Sequence, residues 1–160
     1  MLFCATVTDK SKIKYSKPIL FNSVKVNEGR CYDNTTGKFT TTVPGTYVFI
    51  ATLGSTVKNE NVTAYITVDD TAYTIFRGSY TSTGSSSVLV RLGLGQRVWV
   101  KADSNADWYY PDELCFTGAL VQPQLWHADD DDDDDDADDD VYYNYYYYYY
   151  SACIRLEYYY

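Results

Sequence analysis

Apolar and β-branched residues come in short runs of five to nine along the first 121 positions, and turn-forming residues separate them about every ten positions. The runs cover residues 2–8, 19–26, 38–42, 46–53, 62–68, 72–77, 86–94, 97–102 and 114–121. Gly, Pro, Asn and Asp between them accept positive φ or pre-set a turn. No stretch has helical periodicity. The pattern predicts an all-β sandwich or barrel.

The predicted strands are of two kinds. In residues 62–68 threonines interrupt the apolar positions, which is typical of a strand with one face in water. Residues 47–51, 88–90 and 116–121 instead present apolar groups to both faces. Such strands need a second cover, because monomers rarely expose a wide apolar face. A partner subunit is the simplest cover, and the protein's own loops are the alternative.

The composition changes near residue 127. Residues 127–160 hold eleven Asp and eleven of the nineteen Tyr, so the net charge of −9 belongs to this segment and the rest carries about +2. The first part therefore lacks the basic excess of a nucleic-acid or lipid binder. We expect a globular domain over 1–123 and a disordered low-complexity tail over 124–160. The two homopolymer blocks favour a translated microsatellite, real or erroneous, over calcium buffering or tyrosine-driven assembly.

Several classes of site find no support in the sequence. No run of eighteen apolar residues predicts a membrane span, and residues 1–5 are too short for a signal peptide core. The cysteines Cys4, Cys31, Cys115 and Cys153 lie far apart, which argues against zinc. Either Cys31 and Cys115 pair in an oxidising compartment or the cysteines of the globular part are small buried thiols.

Catalysis is not indicated either. The single histidine, His127, lies beyond the last predicted strand, so no Ser-His or Cys-His pair can be pre-organised in the globular part. The glycines at 93 and 95 lack the Gly-Lys-Ser/Thr of a phosphate loop and predict a hairpin turn. We expect a protein that is not an enzyme and requires no cofactor.

A family resemblance is carried by several segments in order. The sequences FCA at 3–5, ILFN at 19–22, NEGRCYD at 27–33, TGKF at 36–39 and VPGTYVF at 43–49 resemble the first half of a complement C1q globular domain. The sequences SVLVRL at 87–92, GQRVWV at 95–100 and CFTGAL at 115–120 resemble its closing strands. The resemblance covers about residues 2–122, and its most specific part is P-G-x-Y-x-F preceded by T-G-x-F.

This resemblance implies a ten-stranded antiparallel jelly roll like that of tumour necrosis factor. It further implies a trimer, of identical or related chains, that is secreted and binds surface sugars, lipids or proteins in innate immunity. No Gly-X-Y stem precedes the domain, so the chain resembles the head-only members found in invertebrates. The alternatives are a cytokine-like trimeric signalling ligand and a structural or matrix trimerisation domain.

The longest polar connection, residues 103–113, provides the candidate ligand site. In C1q-like trimers the matching loop lies at the apex and supplies calcium ligands, and Asp103, Asn105 and Asp107 are the oxygen donors here. An EF-hand is excluded because its sixth and twelfth positions would be Trp108 and Leu114. The alternative is a solvated loop that binds no ion.

Aromatic residues follow in the same connection. Trp108, Tyr109 and Tyr110 offer flat faces that stack on sugars or anchor protein interfaces, or they fold back onto the core. Two sequons, at Asn34 and Asn61, accept glycans if the chain enters a secretory pathway. The alternatives are a turn residue for Asn34 and a residue at the start of a strand for Asn61.

Overall fold

A computed structural model describes residues 1–124 of the chain. Most of the tail predicted for 124–160 therefore lies outside the described residues. Within them the chain forms ten strands, listed here in order: β1 Leu2–Thr6, β2 Ser23–Glu28, β3 Tyr32–Asp33, β4 Lys38–Thr40, β5 Gly45–Leu53, β6 Val62–Val68, β7 Thr71–Gly78, β8 Gly84–Leu92, β9 Arg97–Ala102 and β10 Cys115–Pro123.

The strands form two five-stranded sheets that share one core. The first sheet has the order β2-β1-β10-β5-β8 and the second has the order β3-β4-β9-β6-β7. All neighbouring strands that pair are antiparallel. The chain crosses repeatedly between the sheets, so the first and last strands become neighbours. The predicted ten-stranded antiparallel jelly-roll sandwich is confirmed.

The strand expected over 19–26 begins later than the apolar pattern indicates. The N–H of Ile19 donates to the Val100 carbonyl oxygen at 2.8 Å, and Pro18 forms a bridge with Lys101. The segment therefore runs beside β9 before it reaches the first sheet as β2. The two-residue β3 was not predicted. Three short 3₁₀ helices, Lys10–Lys12, Ala106–Trp108 and Pro111–Glu113, join the strands, and no helix in residues 1–124 is long enough to cross a membrane.

Aromatic rings fill the space between the sheets. The Phe3 ring stacks on Tyr32 with centroids 4.7 Å apart and meets the edge of Phe116 at 4.9 Å. A Cβ atom at Gly118 would lie 2.5 Å from the Phe3 ring and 2.6 Å from the Phe49 ring. Glycine at the aromatic-x-Gly position of β10 thus leaves room for two rings that cross over it.

Gly37, the glycine of the T-G-x-F sequence, shapes the turn between β3 and β4. Gly37 has a φ of +73°, which L side chains rarely adopt, and its N–H donates to the Asp33 carbonyl oxygen at 2.8 Å. A Cβ atom there would lie 2.4 Å from the Ile19 carbonyl oxygen. The T-G-x-F sequence therefore requires glycine at its second position, and the turn that this glycine allows places Phe39 in the core.

Candidate functional site

The outer face of the first sheet carries two adjacent rows of mainly apolar side chains. The strand register places Leu2, Ala119, Val48 and Leu89 in one row across β1, β10, β5 and β8. The next row contains Val26, Cys4, Thr117, Ile50 and Ser87. We call these two rows the apolar face.

The apolar face is open to solvent in the described chain. Ile50 is 45% exposed and Leu89 is 66% exposed, although both lie in regular strands near the middle and edge of the sheet. Within residues 1–124 no loop covers them, so the alternative that the protein's own loops provide the cover fails for this part of the chain. An exposed apolar face of this kind indicates a docking surface.

The outer face of the second sheet is chemically different. Its strand positions present Lys38, Arg77, Arg97 and Lys101, interleaved with Tyr65, Trp99 and threonines. The ammonium group of Lys38 lies 4.2 Å from the centroid of the Trp99 ring, which is buried beneath it. The hydroxyl of Tyr65 donates to Asp103 Oδ2 at 3.1 Å. This face therefore covers Trp99 with Lys38 and pairs the Tyr65 hydroxyl with Asp103, whereas Tyr73 and Ile75 on β7 stay exposed.

The connection that contains the predicted ligand residues is held firmly at the end of the sandwich. The N–H of Asp103 donates to the Thr63 carbonyl oxygen at 2.9 Å. Further along, the N–H of Thr56 donates to the Trp108 carbonyl oxygen at 2.7 Å, and the N–H of Tyr110 donates to the Gly54 carbonyl oxygen at 2.9 Å. The connection is thus anchored to both β6 and the segment between β5 and β6.

The three aromatic residues of this connection have different surroundings. Tyr109 is completely buried, its hydroxyl donates to the Thr63 carbonyl oxygen, and burial raises its pKa to about 12. The Tyr109 ring is therefore not accessible to a ligand and instead folds back onto the core. Trp108 is half-buried and packs against the core, whereas Tyr110 is 40% exposed. Tyr110 is therefore the most accessible aromatic ring of the three.

The predicted calcium donors do not form a closed cluster. Asp103 Oδ2 already accepts the Tyr65 hydroxyl, and Asn105 Oδ1 accepts the Asp107 N–H at 3.1 Å. Among residues 1–124, no three His, Cys, Asp or Glu side chains lie close enough together to hold a metal ion. Calcium at Asp103, Asn105 and Asp107 stays a prediction, and it requires amide or carbonyl oxygens to complete the donor set.

The structure does not bring Cys31 and Cys115 together. Cys31 belongs to the core, where its thiol contacts the Glu28 carbonyl oxygen at 3.6 Å and burial raises its pKa to about 11. Cys115 projects from the outer face of the first sheet and is only partly buried. Their side chains face different environments and both thiols are free in this structure, so the Cys31–Cys115 disulfide stays a prediction.

Both predicted glycosylation sites are at the surface. Asn34 lies in the turn between β3 and β4, and Asn61 directly precedes β6. Both side chains are exposed. These positions agree with the alternatives of a turn residue and a residue at the start of a strand, and the Asn34 side-chain amide donates a long hydrogen bond of 3.4 Å to the Asn22 carbonyl oxygen. Glycan attachment at Asn34 and Asn61 stays a prediction.

The comparison of sequences identifies the family. A sequence profile of the C1q domain matches residues 2–121, from the first residue of β1 into β10. The chain belongs to the C1q domain family. The aromatic-x-Gly pattern of β10 and the T-G-x-F turn are therefore features of a C1q domain.

Two curated relatives match over 130 residues each. Complement C1q and tumor necrosis factor-related protein 9B of Homo sapiens is 31% identical and covers 74% of this chain and 38% of that protein. Complement C1q tumor necrosis factor-related protein 2 of Mus musculus is 34% identical and covers 74% of this chain and 42% of that protein. The matched part of this chain thus spans about two fifths of the length of these relatives.

Solved structures show the same fold. The globular domain of zebrafish complement 1qA superimposes with a TM-score of 0.64 at 21% identity, over 77% of this chain and 98% of that one. Eiger TNF from S. frugiperda gives 0.58 at 11% identity, over 84% and 98%. Murine APRIL gives 0.59 at 11% identity, over 75% and 98%. The sandwich is therefore shared between C1q domains and tumour necrosis factor-type proteins.

Sequence reasoning missed two features of the outer faces. It did not single out Tyr65 and Lys101, which become neighbours only through the pairing of β6 with β9. It also did not relate Cys4 to Cys115, whose strands are separated by most of the chain and meet only in the jelly-roll topology. The alternating pattern within each strand was the available signal, but it does not tell which strands are neighbours.

Proposed function

We propose that this C1q domain is a secreted recognition module that assembles as a trimer and binds surface sugars, lipids or proteins in innate immunity. It performs no catalysis in this proposal. The observation that carries it is the apolar face, which has residues on all five strands of the first sheet and includes Ile50 and Leu89.

The chemistry of the apolar face supports assembly through it. The face presents Leu2, Val48 and Ala119 in one continuous row, with Ile50 in the next. A stable interface buries about 800 Å² per partner, and its centre is depleted of charged side chains. The two rows contain no charged residue across β1, β10, β5 and β8, and Glu28 on β2 ends the first row opposite Leu2. The family resemblance supports a trimer as the assembly that buries this face.

In this proposal the ligand binds at the end of the sandwich rather than on the apolar face. The connection from Asp103 to Leu114 follows β9 and precedes β10, and its exposed residues include Asn105, Asp107 and Tyr110. A flat phenol ring beside amide and carboxylate groups suits a sugar, since the ring stacks on the apolar face of a pyranose and the polar groups accept its hydroxyls. Trimerisation would present three such connections to a multivalent surface.

The solution mass of the full chain tests the assembly. Light scattering is expected to give three times the chain mass of 18.3 kDa in a buffer with or without calcium. A folded monomer at micromolar concentration would contradict the trimer, and a calcium-dependent mass would support ion binding near the subunit contacts.

Binding of the full chain to defined surfaces tests the recognition role. The probes are beads that carry purified microbial cell-wall polysaccharide and vesicles of anionic phospholipid. Tyr110→Ala is expected to reduce retention by about two- to tenfold, because a stacked aromatic contact contributes about 0.5–1.5 kcal/mol. Tyr80→Ala, which removes an exposed ring from the β7–β8 turn, is the matched control and is expected to bind normally. Equal loss in both variants, or no retention of the wild type, would contradict the proposal.

A further inference from the structure

Two cysteines lie side by side on the outer face of the first sheet. In the register of β1 with β10, Cys4 is opposite Thr117 and Thr6 is opposite Cys115. All four side chains project to the same face, because residues two apart on a strand share a face. Cys4 and Cys115 are therefore diagonal neighbours on two adjacent, hydrogen-bonded strands.

The surroundings of the Cys115 thiol include Cys4. Burial raises the pKa of the Cys115 thiol, the Thr117 hydroxyl lowers it, and the charge and hydrogen bonding of the neighbouring Cys4 thiol raise it again. The Cys115 Sγ also lies 3.6 Å from Thr117 Oγ1. The Cys4 thiol is thus close enough to affect the ionisation of Cys115, in agreement with the strand register.

We infer that Cys4 and Cys115 form a disulfide within one chain when the protein enters an oxidising compartment. This bond would join the first strand of the domain to its last strand and close a loop of about 110 residues. It replaces the Cys31–Cys115 pairing expected from the sequence, since Cys31 lies in the core. The inference does not depend on the trimer or on the ligand.

The chemistry requires an oxidant, for which a small disulfide such as oxidised glutathione is sufficient. One cysteine thiolate attacks the glutathione disulfide, so that a mixed disulfide forms and one glutathione leaves as a thiolate. The second cysteine thiolate then attacks the protein sulfur of the mixed disulfide and releases the second glutathione. The two protein thiols are oxidised, one glutathione disulfide is reduced, and the two cysteine protons end on the two released glutathione thiols.

The diagonal position predicts a bond that is easily reduced. A relaxed disulfide needs Cβ atoms about 3.8 Å apart, whereas diagonal neighbours in an antiparallel sheet start farther apart than directly opposite ones. The offset lies along the strands, so the two side chains must lean toward each other or β1 must slide along β10, and the strained bond is more reducible than a relaxed one. We expect the link to open in millimolar reduced glutathione.

Peptide mapping of the full chain tests the inference. The protein is equilibrated with oxidised glutathione, remaining thiols are alkylated, and the chain is digested with trypsin and an acid-specific protease. Cleavage after Lys10 isolates the Cys4 peptide, and cleavage in the aspartate run separates Cys115 from Cys153. The expected product is a linked Cys4–Cys115 peptide from a protein that runs as a monomer on a non-reducing denaturing gel. A Cys31–Cys115 link, a link between chains, or alkylation of both Cys4 and Cys115 would overturn the inference.

Thermal unfolding of three variants gives an independent test. Oxidation is expected to raise the Tm of the wild type by about 5 °C, because closing a loop of this length restricts the unfolded chain while strain in the folded bond offsets part of the gain. Cys4→Ser and Cys115→Ser are each expected to lose this increase, whereas Cys31→Ser is expected to keep it. The same increase in all three variants would show that another pair is linked.

Discussion

The outer faces of the two sheets differ in how they meet the solvent. On the first sheet, Ile50 and Leu89 remain exposed in regular strands, with only the short side chains of Thr117, Ser87 and Val48 directly opposite them. On the second sheet, Trp99 is buried beneath Lys38, and Tyr65 gives its hydroxyl to Asp103. A sandwich needs only its inner faces to fold, so an uncovered apolar outer face indicates contact with a second molecule.

A lysine introduced on each outer face in turn is expected to give the largest difference in assembly between the two sheets. Ile50→Lys is expected to weaken assembly by at least about 100-fold, because an unpaired ammonium buried at an interface costs several kcal/mol. The matched control is Ile75→Lys on β7, because Ile75 is 42% exposed on the opposite outer face and Ile50 is 45% exposed. Sedimentation equilibrium of both full-length variants measures the effect. Equal dissociation of the two variants would show that the apolar face has no special role.

The aromatic core between the two faces should be more sensitive to added volume than either face. Gly118→Ala is expected to lower the free energy of unfolding by about 2–3 kcal/mol, because its methyl group overlaps the rings of Phe3 and Phe49. Gly93→Ala is the control, since its Cβ atom would meet only Gln96 Oε1 at 3.7 Å. Urea unfolding of both variants compares them, and a similar loss in each would contradict the packing account.

Alkaline pH should weaken the fold through buried phenols rather than through either outer face. Burial raises the pKa of Tyr109 from its usual 10.0 to about 12, so the folded state favours the neutral phenol. The stabilisation is complete below pH 10 and is lost as the pH rises toward 12, by about 2 kcal/mol for this residue.

Tyr109→Phe supplies the comparison for that titration. Denaturant unfolding between pH 9 and 12 is expected to show a shallower decline in the variant, because its residue 109 does not ionise. Part of the decline should persist, since burial also raises the pKa of Tyr32. An identical slope in the variant and the wild type would exclude Tyr109 as a contributor.

The smallest expected effect concerns the polar cover of the second sheet. Lys38→Met keeps an unbranched apolar chain over Trp99 but removes the ammonium group, and is expected to cost about 0.5–1 kcal/mol. Lys25→Met on the exposed side of β2 is the control and should change the stability by less. Chemical unfolding at low and high salt measures both, and equal costs would argue against the cation–π contact.

The alternating pattern of the strands predicts much of this architecture and the contrast between the faces. Residues 47–51 indicate a strand with apolar groups on both sides, and the structure exposes Ile50 as expected. The pattern fails where tertiary contacts decide. Ile19 is held beside β9 by a backbone hydrogen bond, and no local signal separates buried Tyr109 from exposed Tyr110.

The pairing of the cysteines also depends on tertiary contacts that the sequence does not reveal. The spacing of Cys4, Cys31 and Cys115 leaves their pairing open, because connectivity depends on which strands become neighbours. Only the register of β1 with β10 places Cys4 next to Cys115. The calcium donors and the glycan acceptors depend on ions and enzymes outside the fold, so they stay predictions.

The most direct test of the account is side-chain footprinting of the full chain with hydroxyl radicals across a range of protein concentrations. As the protein assembles, labelling of Ile50 and Leu89 is expected to fall by about tenfold, because these side chains become buried at the subunit contact. Labelling of Ile75 and Tyr73 on β7 is expected to stay constant. Constant labelling of Ile50 and Leu89 through assembly, or protection of β7 instead, would contradict the assignment of the apolar face as the interface.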